Sequence, residues 1–379
     1  MKRNIIVFYV LAFLQGLVFY SSVSTLYRTS VGITLTEMGI IEGVLSVCTV
    51  LCEVPWGILT DHIGYRKTLI ISNGLYALSK IIFYHADCFG MFLMERIVLG
   101  ISLAGLSGCD SALLYLSTGK DKATGVFGKM SMSGTLGMCV ASVSFSLFFK
   151  DSLKSSAFWT AVAYFAAFIL TFFLTDVKEE HVKENNKNYK GIVKVLPGIL
   201  PLLVSSALLT ESTHMLSCFY NQLQYERAGI PVSLFGVLYL LIQMCGLISG
   251  GLEKMLKKVK QENLVIFLTI LSMTVCFLLV KTTSACISVM SFALLVCIES
   301  LYFPVLNTLE NDCIGNFPRA TALSVFSLVS NGCTFFTEIA FGMAADDSLN
   351  TLYVLAGVFC FISFLLFQNW KKRQHKIGL

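Results

Sequence analysis

Apolar runs of about twenty residues recur along this chain, separated by short polar connections. About twenty is the helical length that crosses the hydrocarbon of a bilayer. Twelve runs are predicted, near residues 5–25, 37–58, 68–86, 90–116, 124–148, 155–175, 194–222, 232–252, 263–281, 285–309, 320–345 and 349–370. None shows the short alternating pattern of a barrel strand. Backbone polar groups in hydrocarbon must pair within their own segment, so helices are predicted throughout. One connection is long and polar: DVKEEHVKENNKNYK, residues 176–190. It has no apolar stripe and reads as a linker. The expected architecture is an all-α integral membrane protein of twelve transmembrane helices. Residues 1–176 form one six-helix bundle, 177–193 a cytoplasmic linker, and 194–379 a second, pseudo-symmetric six-helix bundle.

Composition agrees: 55% of the 379 residues are hydrophobic and 13% charged. Soluble domains carry roughly 25% charged residues, so a single water-soluble core is excluded. The N-terminus, MKRNIIVFYVLAFLQGLVFY, has a basic start, then an apolar run without a small-residue cleavage motif, and is predicted to be the first span. The net charge of +5 has a topological explanation rather than nucleic acid as partner. With the N-terminus inside, twenty-one Lys and Arg residues fall in inner connections and five (Arg28, Lys150, Lys154, Arg227, Lys281) in outer ones. That bias predicts a cell-membrane protein with both termini cytoplasmic. The thirteen cysteines are scattered through apolar runs with no CxxC pair. They read as small core hydrophobes, and neither metal nor cofactor is expected.

The two halves resemble each other at one offset. LYRTSVGITLTEMG (26–39) aligns with LQYERAGIPVSLFG (223–236), pairing Leu26 with Leu223, Gly32 with Gly229, Ile33 with Ile230 and Gly39 with Gly236. KAT at 122–124 aligns with RAT at 319–321 by the same shift of 197 residues. Six spans separate the copies, so they run parallel, as in transporters with repeats related by an axis along the membrane normal.

Between the second and third runs lies GILTDHIGYRK, residues 57–67. It resembles the signature loop G-x-x-x-D-[RK]-x-G-[RK]-[RK] of the major facilitator superfamily. Gly57, Asp61, Gly64 and Arg66 fill their places; His62 and Tyr65 replace basic residues, and Lys67 adds a charge. ERIVLG (95–100) has the R-x-x-x-G spacing of that family's fourth helix. In the loop, Gly57 is expected to allow close helix approach and Gly64 a tight turn. The resemblance implies that Asp61 docks on the amino end of span 11, near Pro318 to Thr321. Glu53 and Asp110, near the same side, are expected to anchor Arg66.

Ionisable groups in hydrocarbon cost at least ~2.5–3.5 kcal/mol, so each needs a reason. The resemblance implies that spans 1, 4, 7 and 10 line a central cavity. Those spans hold Gln15, Arg96, Glu211, His214, Glu299, Tyr302 and Asn307, with Glu338 flanking in span 11. Glu211 and His214, three residues apart, share a helical face and can share a proton. They and Glu299 are the expected proton or cation site, the competing readings being a network that only fixes packing and a role in substrate binding alone. Arg96 reads either as a charge that senses substrate or as a partner of Glu95, and Lys80 as a partner of Glu95 or a snorkelling side chain.

No GxxxxGK[ST] loop is present, so nucleotide-driven transport is disfavoured. The expected function is secondary transport of a small-molecule substrate by alternating access, coupled to protons, by a monomer. Export of an amphipathic or cationic compound is the leading reading, with nutrient uptake as the alternative. GKMSMSGTLGMCVAS (128–142) lacks the glycine-proline element common in the family's proton-coupled exporters. An intramembrane enzyme using His214 with Ser212 or Ser217, and a non-transporting receptor, are minor alternatives.

Overall fold

A computed structural model describes residues 2–118, 123–176, 189–251, 260–314 and 319–377. The described residues are helical apart from short connections. The long helices are α1 (Lys2–Gly16), α3 (Leu35–Ile63), α4 (Tyr65–His85), α5 (Phe89–Leu106), α7 (Ala123–Ser144), α8 (Leu153–Thr171) and α9 (Tyr189–Met215). They continue with α11 (Phe235–Gly251), α12 (Gln261–Lys281), α13 (Ala285–Asp312), α14 (Arg319–Asp347) and α15 (Leu349–Ile377). Shorter pieces are α2 (Ser24–Ser30), α6 (Cys109–Thr118) and α10 (Asn221–Arg227). Of the predicted linker, 177–193, residues 177–188 lie outside the described residues and 189–193 already belong to α9; residues 315–318, just before span 11, also lie outside.

Among the described residues, eleven stretches are long and apolar enough to cross a membrane. The twelfth expected span, α4, has the length, 21 residues, but a more polar composition. Its Ser72, Asn73, Ser79 and Lys80 are all buried, so that polarity is hidden inside the protein. The usual sorting is inverted elsewhere too. Phe148, Phe173, Ile248 and Phe336 are exposed, while Ala141, Ala157, Ser156 and Ser205 are buried. With lipid as apolar as leucine, helices associate through small residues that bring backbones close. A methyl group at Gly137 of α7 would sit 2.1 Å from the Phe13 carbonyl oxygen of α1.

Several spans are not continuous helices. Span 1 breaks after Gly16 and resumes through a 3-10 turn at Ser21–Val23 into α2. Span 4 breaks at Ser107–Gly108, where Gly108 takes φ +78°. Span 5 ends in a π-helical turn, Phe145–Phe149, and span 7 carries another, Leu216–Tyr220, before α10.

The chain divides into two compact units. One comprises Met1–Ile33, Val44–Lys183 and Val232–Leu240; the other Thr34–Gly43, Glu184–Pro231 and Leu241–Leu379. In the first, α1 packs on α7 and α8, and α4 on α5 and α8, around Phe8, Leu11, Leu69 and Leu113. In the second, α9 packs on α13, α14 and α15.

The 197-residue repeat has a local physical meaning. Gly32 and Gly229 both adopt positive φ, +90° and +70°. Both follow seven-residue helices, Ser24–Ser30 and Asn221–Arg227. Ile33 N donates to Arg28 O at 3.1 Å, and Ile230 N to Tyr225 O at 2.9 Å, the same helix-ending pattern in each copy. Gly39 and Gly236 are both sites of close helix approach: a methyl would lie 2.3 Å from Glu338 O at the first and 2.1 Å from Ser142 O at the second.

In the second unit, the amino end of α3 lies against α14 in backbone contact. Leu35, Gly39 and Gly43, four residues apart, face Asp346, Gly342 and Glu338. A methyl at Gly342 would lie 2.4 Å from Leu35 O, and one at Gly43 would lie 3.3 Å from Glu338 Oε2. Leu35 N and Thr36 N each donate to the Asp346 carboxylate at 2.8 Å.

Candidate functional site

Span 7 organises the polar interior of the second unit. Glu211 and His214 lie in the last turn and a half of α9, and the π turn that follows carries Cys218 and Tyr220. An inserted residue widens the helix and changes which side chains share a face, and such turns recur at functional sites. His214 Nδ1 lies 3.9 Å from Glu299 Oε1 of α13 and 3.6 Å from Cys218 Sγ. Glu211 is buried, and its Oε2 accepts from the Thr334 hydroxyl of α14 at 3.2 Å. Glu211 and His214 interact electrostatically. His214 and Glu299 thus meet across spans 7 and 10, and Glu211, one turn back on span 7, shares their electrostatic neighbourhood. Tyr302 is buried one helical turn from Glu299, and its hydroxyl bonds that of Thr213. Asn307 is exposed and does not join this group. Glu338 is buried on α14, one turn beyond Thr334.

The first unit has its own buried charges. Arg96 Nη1 donates to Glu95 Oε1 at 3.1 Å, and Lys80 Nζ lies 3.9 Å from the same oxygen. Lys80 does not snorkel. It donates to Tyr20 Oη at 3.0 Å and stands over the rings of Tyr76 and Tyr164 at 5.2 and 5.5 Å. Gln15 donates to Asn73 Oδ1 at 2.9 Å, while Tyr164 Oη donates to the Gln15 carbonyl and Thr160 Oγ1 accepts from Phe19 N. Span 6, α8, thus satisfies the backbone released where span 1 breaks, as hydrocarbon requires.

The loop residues part company with expectation at three points. Gly64 does make the turn, with φ +84°. A methyl at Gly57, however, would meet nothing within 4 Å among the described residues, so Gly57 is not a point of close approach there. Arg66 is anchored not by Glu53 or Asp110 but by the carbonyl of Phe172 at the end of α8, at 3.1 Å, where helix-end carbonyls attract a cation. Asp110 instead accepts from Ser111 N in the first turn of its own helix. Glu53 is half-buried, and Asp61 and Lys67 are exposed. The partner foreseen for Asp61, Pro318 to Thr321, lies outside the described side chains.

Three functional candidates escaped the sequence reading. Glu42 is a buried acid inside the predicted second span. Tyr220 is fully buried at the end of the π turn. Arg28, expected in an outer connection, is wholly buried in α2, its guanidinium 5.7 and 5.9 Å from the rings of Phe83 and Phe92.

The sequence profile of the Major Facilitator Superfamily matches residues 5–337. The chain belongs to this superfamily. Its relatives within it include an uncharacterized MFS-type transporter, YxaM, of Bacillus subtilis (strain 168), 21% identical over 95% of this chain and 94% of that protein. Another is the uncharacterized MFS-type transporter MJ1560 of Methanocaldococcus jannaschii, 20% identical over 96% of both chains. Among solved structures, the nucleoside transporter NupG superposes with a TM-score of 0.82 at 14% identity, covering 97% of this chain and 99% of that one. The D-xylose-proton symporter superposes at 0.74 with 12% identity, covering 97% of each chain. As a superfamily member with this fold, the chain is a multi-pass membrane transporter rather than an enzyme.

Proposed function

We propose that this superfamily member is a proton-coupled secondary transporter of a small solute, with Glu211, His214 and Glu299 as its coupling site. The observation that carries the reading is the His214 imidazole set 3.9 Å from Glu299 beside buried Glu211. Carboxyl and imidazole groups can exchange a proton within this cluster, and ionisable groups held inside a membrane commonly mark ion pathways. The halves 1–176 and 194–379 act as the alternating-access bundles, in a monomer held in the cell membrane with both termini cytoplasmic, in keeping with the Lys and Arg bias. A cluster this rich in acids suits a cationic or amphipathic solute, and export is the direction we favour. The second reading, uptake of a nutrient or metabolite, draws on the nucleoside and D-xylose-proton activities of transporters that share the fold.

The test starts from purified protein in a thermal-shift screen over metabolites and drugs. Solutes that raise the melting temperature are then measured in proteoliposomes with and without an imposed pH gradient. Flux that follows the gradient supports proton coupling, and its sign separates export from uptake. Flux indifferent to the gradient, or binding without flux, rejects the proposal.

A further inference from the structure

The break in span 1 is held from both sides by two neighbouring helices of the first unit. Ahead of it, Gln15 Nε2 donates to Asn73 Oδ1 of α4 at 2.9 Å, and the Gln15 carbonyl accepts from Tyr164 Oη of α8 at 2.7 Å. Beyond it, Phe19 N donates to Thr160 Oγ1 of α8 at 2.9 Å, and Tyr20 Oη accepts from Lys80 Nζ of α4 at 3.0 Å. Asn73 and Lys80 lie two turns apart on α4, and Thr160 and Tyr164 one turn apart on α8, so each helix grips both halves of span 1. The Tyr20 ring is stacked on Phe83 of α4 at 4.2 Å.

Lys80 has a second partner within reach. Its Nζ lies 3.9 Å from Glu95 Oε1, beyond hydrogen-bond length, and that oxygen is already bonded by Arg96 Nη1 at 3.1 Å. Glu95 is wholly buried, and its other oxygen, Oε2, accepts no hydrogen bond among the described residues. A buried acceptor left unmatched is costly, and an ammonium on a flexible four-carbon stem can turn a donor towards it. The ammonium is also stable where it stands. The rings of Tyr20, Tyr76 and Tyr164 surround it at 5.2–5.7 Å, and a ring face attracts a cation. One buried cation thus lies between a tyrosine hydroxyl on span 1 and a carboxylate on span 4.

We propose that Lys80 is a positioning switch for span 1. Bonded to Tyr20, as in this structure, it pins the break. Carried onto Glu95 Oε2, it releases Tyr20 and frees α2 to move against α1. The exchange breaks one hydrogen bond and makes another, and no proton or covalent bond is transferred. The charged groups around the switch are Glu95 and Arg96 on α5, with Arg28 on α2 standing over the same Phe83 ring at 5.7 Å. Any change that loosens Arg96 from Oε1 strengthens the hold of the carboxylate on Lys80, so span 4 sets the state of span 1. The switch lies in the first unit and does not rest on the coupling role of Glu211.

Hydrogen exchange read by mass spectrometry on the full-length protein in liposomes tests the switch without a known solute. Peptides covering 14–23 report the break, and peptides from α12 give the reference for overall stability. Tyr20→Phe keeps the ring and removes the acceptor, so exchange at 14–23 should rise about 10- to 100-fold relative to α12. Lys80→Met should do the same, and the double variant should add nothing to either. Glu95→Gln separates a switch from a fixed strut. A glutamine offers Lys80 no charged alternative to Tyr20, so exchange at 14–23 relative to α12 should stay at or below the wild-type value. A strut that depends on the whole charge cluster would instead loosen in Glu95→Gln as it does in Tyr20→Phe, and that result overturns the proposal. So does a change below about twofold in Tyr20→Phe. Should Glu95→Gln fail to fold, Glu95→Asp, which keeps the charge but shortens its reach, carries the same expectation. For a solute found by thermal shift, Tyr20→Phe and Glu95→Gln should both lower the maximal flux with KM nearly unchanged, since each holds Lys80 in one state. Wild-type flux in both variants also overturns the switch.

Discussion

Replacing Asp346 with alanine isolates the contact that closes the amino end of α3. Two backbone amides, Leu35 N and Thr36 N, lose a carboxylate acceptor at 2.8 Å. A hydrogen bond to a charged group is worth about 1.5–3 kcal/mol when buried. Asp346 is exposed, and the measured cost of removing an acidic helix cap is about 0.5–2 kcal/mol, so about 1–2 kcal/mol is the expected loss for the pair. Hydrogen exchange read by mass spectrometry on peptides covering 34–43 measures this directly, because amide protection reports local opening. At tenfold per 1.4 kcal/mol, exchange there should accelerate about 5- to 30-fold. Asp346→Asn, which keeps one acceptor oxygen, should fall between. Asp347→Asn should leave these amides alone, since Asp347 instead accepts from the Thr351 hydroxyl. A change below twofold in Asp346→Ala would refute the capping argument, and the glycine crossing alone would then hold α3 to α14.

Three further substitutions test the packing. Glu95→Gln leaves Lys80 and Arg96 buried without their shared carboxylate and should cost about 3–5 kcal/mol, whereas Lys80→Met keeps the Arg96 pair and should cost less; melting temperatures in detergent give the order. Gly64→Ala places a side chain at φ +84° and should destabilise by about 1–3 kcal/mol, while Gly57→Ala should stay within about 0.5 kcal/mol, again by melting temperature. Gly137→Ala forces a methyl to within 2.1 Å of the Phe13 carbonyl oxygen and should cost about 1–3 kcal/mol through separation of α1 from α7.

Span positions and the repeat were legible because hydrocarbon thickness and backbone satisfaction leave a helix of fixed length few alternatives. The repeat even marked residues by role: Gly32 and Gly229 end helices, and Gly39 and Gly236 sit at crossings. The spacing of Glu211 and His214 was enough to place them together, and Glu299 joined them from another span. Continuity was not legible, since apolar composition measures the length of a span and not whether its helix runs unbroken. Gly108 was the available sign for span 4; the turn around Tyr20 had none as clear. Arg28 was misplaced because a cation near a span's end looks the same whether it faces water or two phenylalanine rings. Arg66 was given carboxylate partners because side-chain pairing can be read from residue types, whereas the Phe172 carbonyl it meets cannot. Glu42 is an acid within a span outside the set 1, 4, 7 and 10, and residue type alone does not tell whether it faces the protein interior.

The most direct measurement is solute-driven proton movement in proteoliposomes, followed with a trapped pH-sensitive dye, for wild type and Glu211→Gln. The predicted result is a lumenal pH change on adding a solute found by thermal shift, abolished in Glu211→Gln while binding of that solute persists. Solute flux in the wild type with no pH change, or an unaltered pH change in Glu211→Gln, would contradict proton coupling through this cluster.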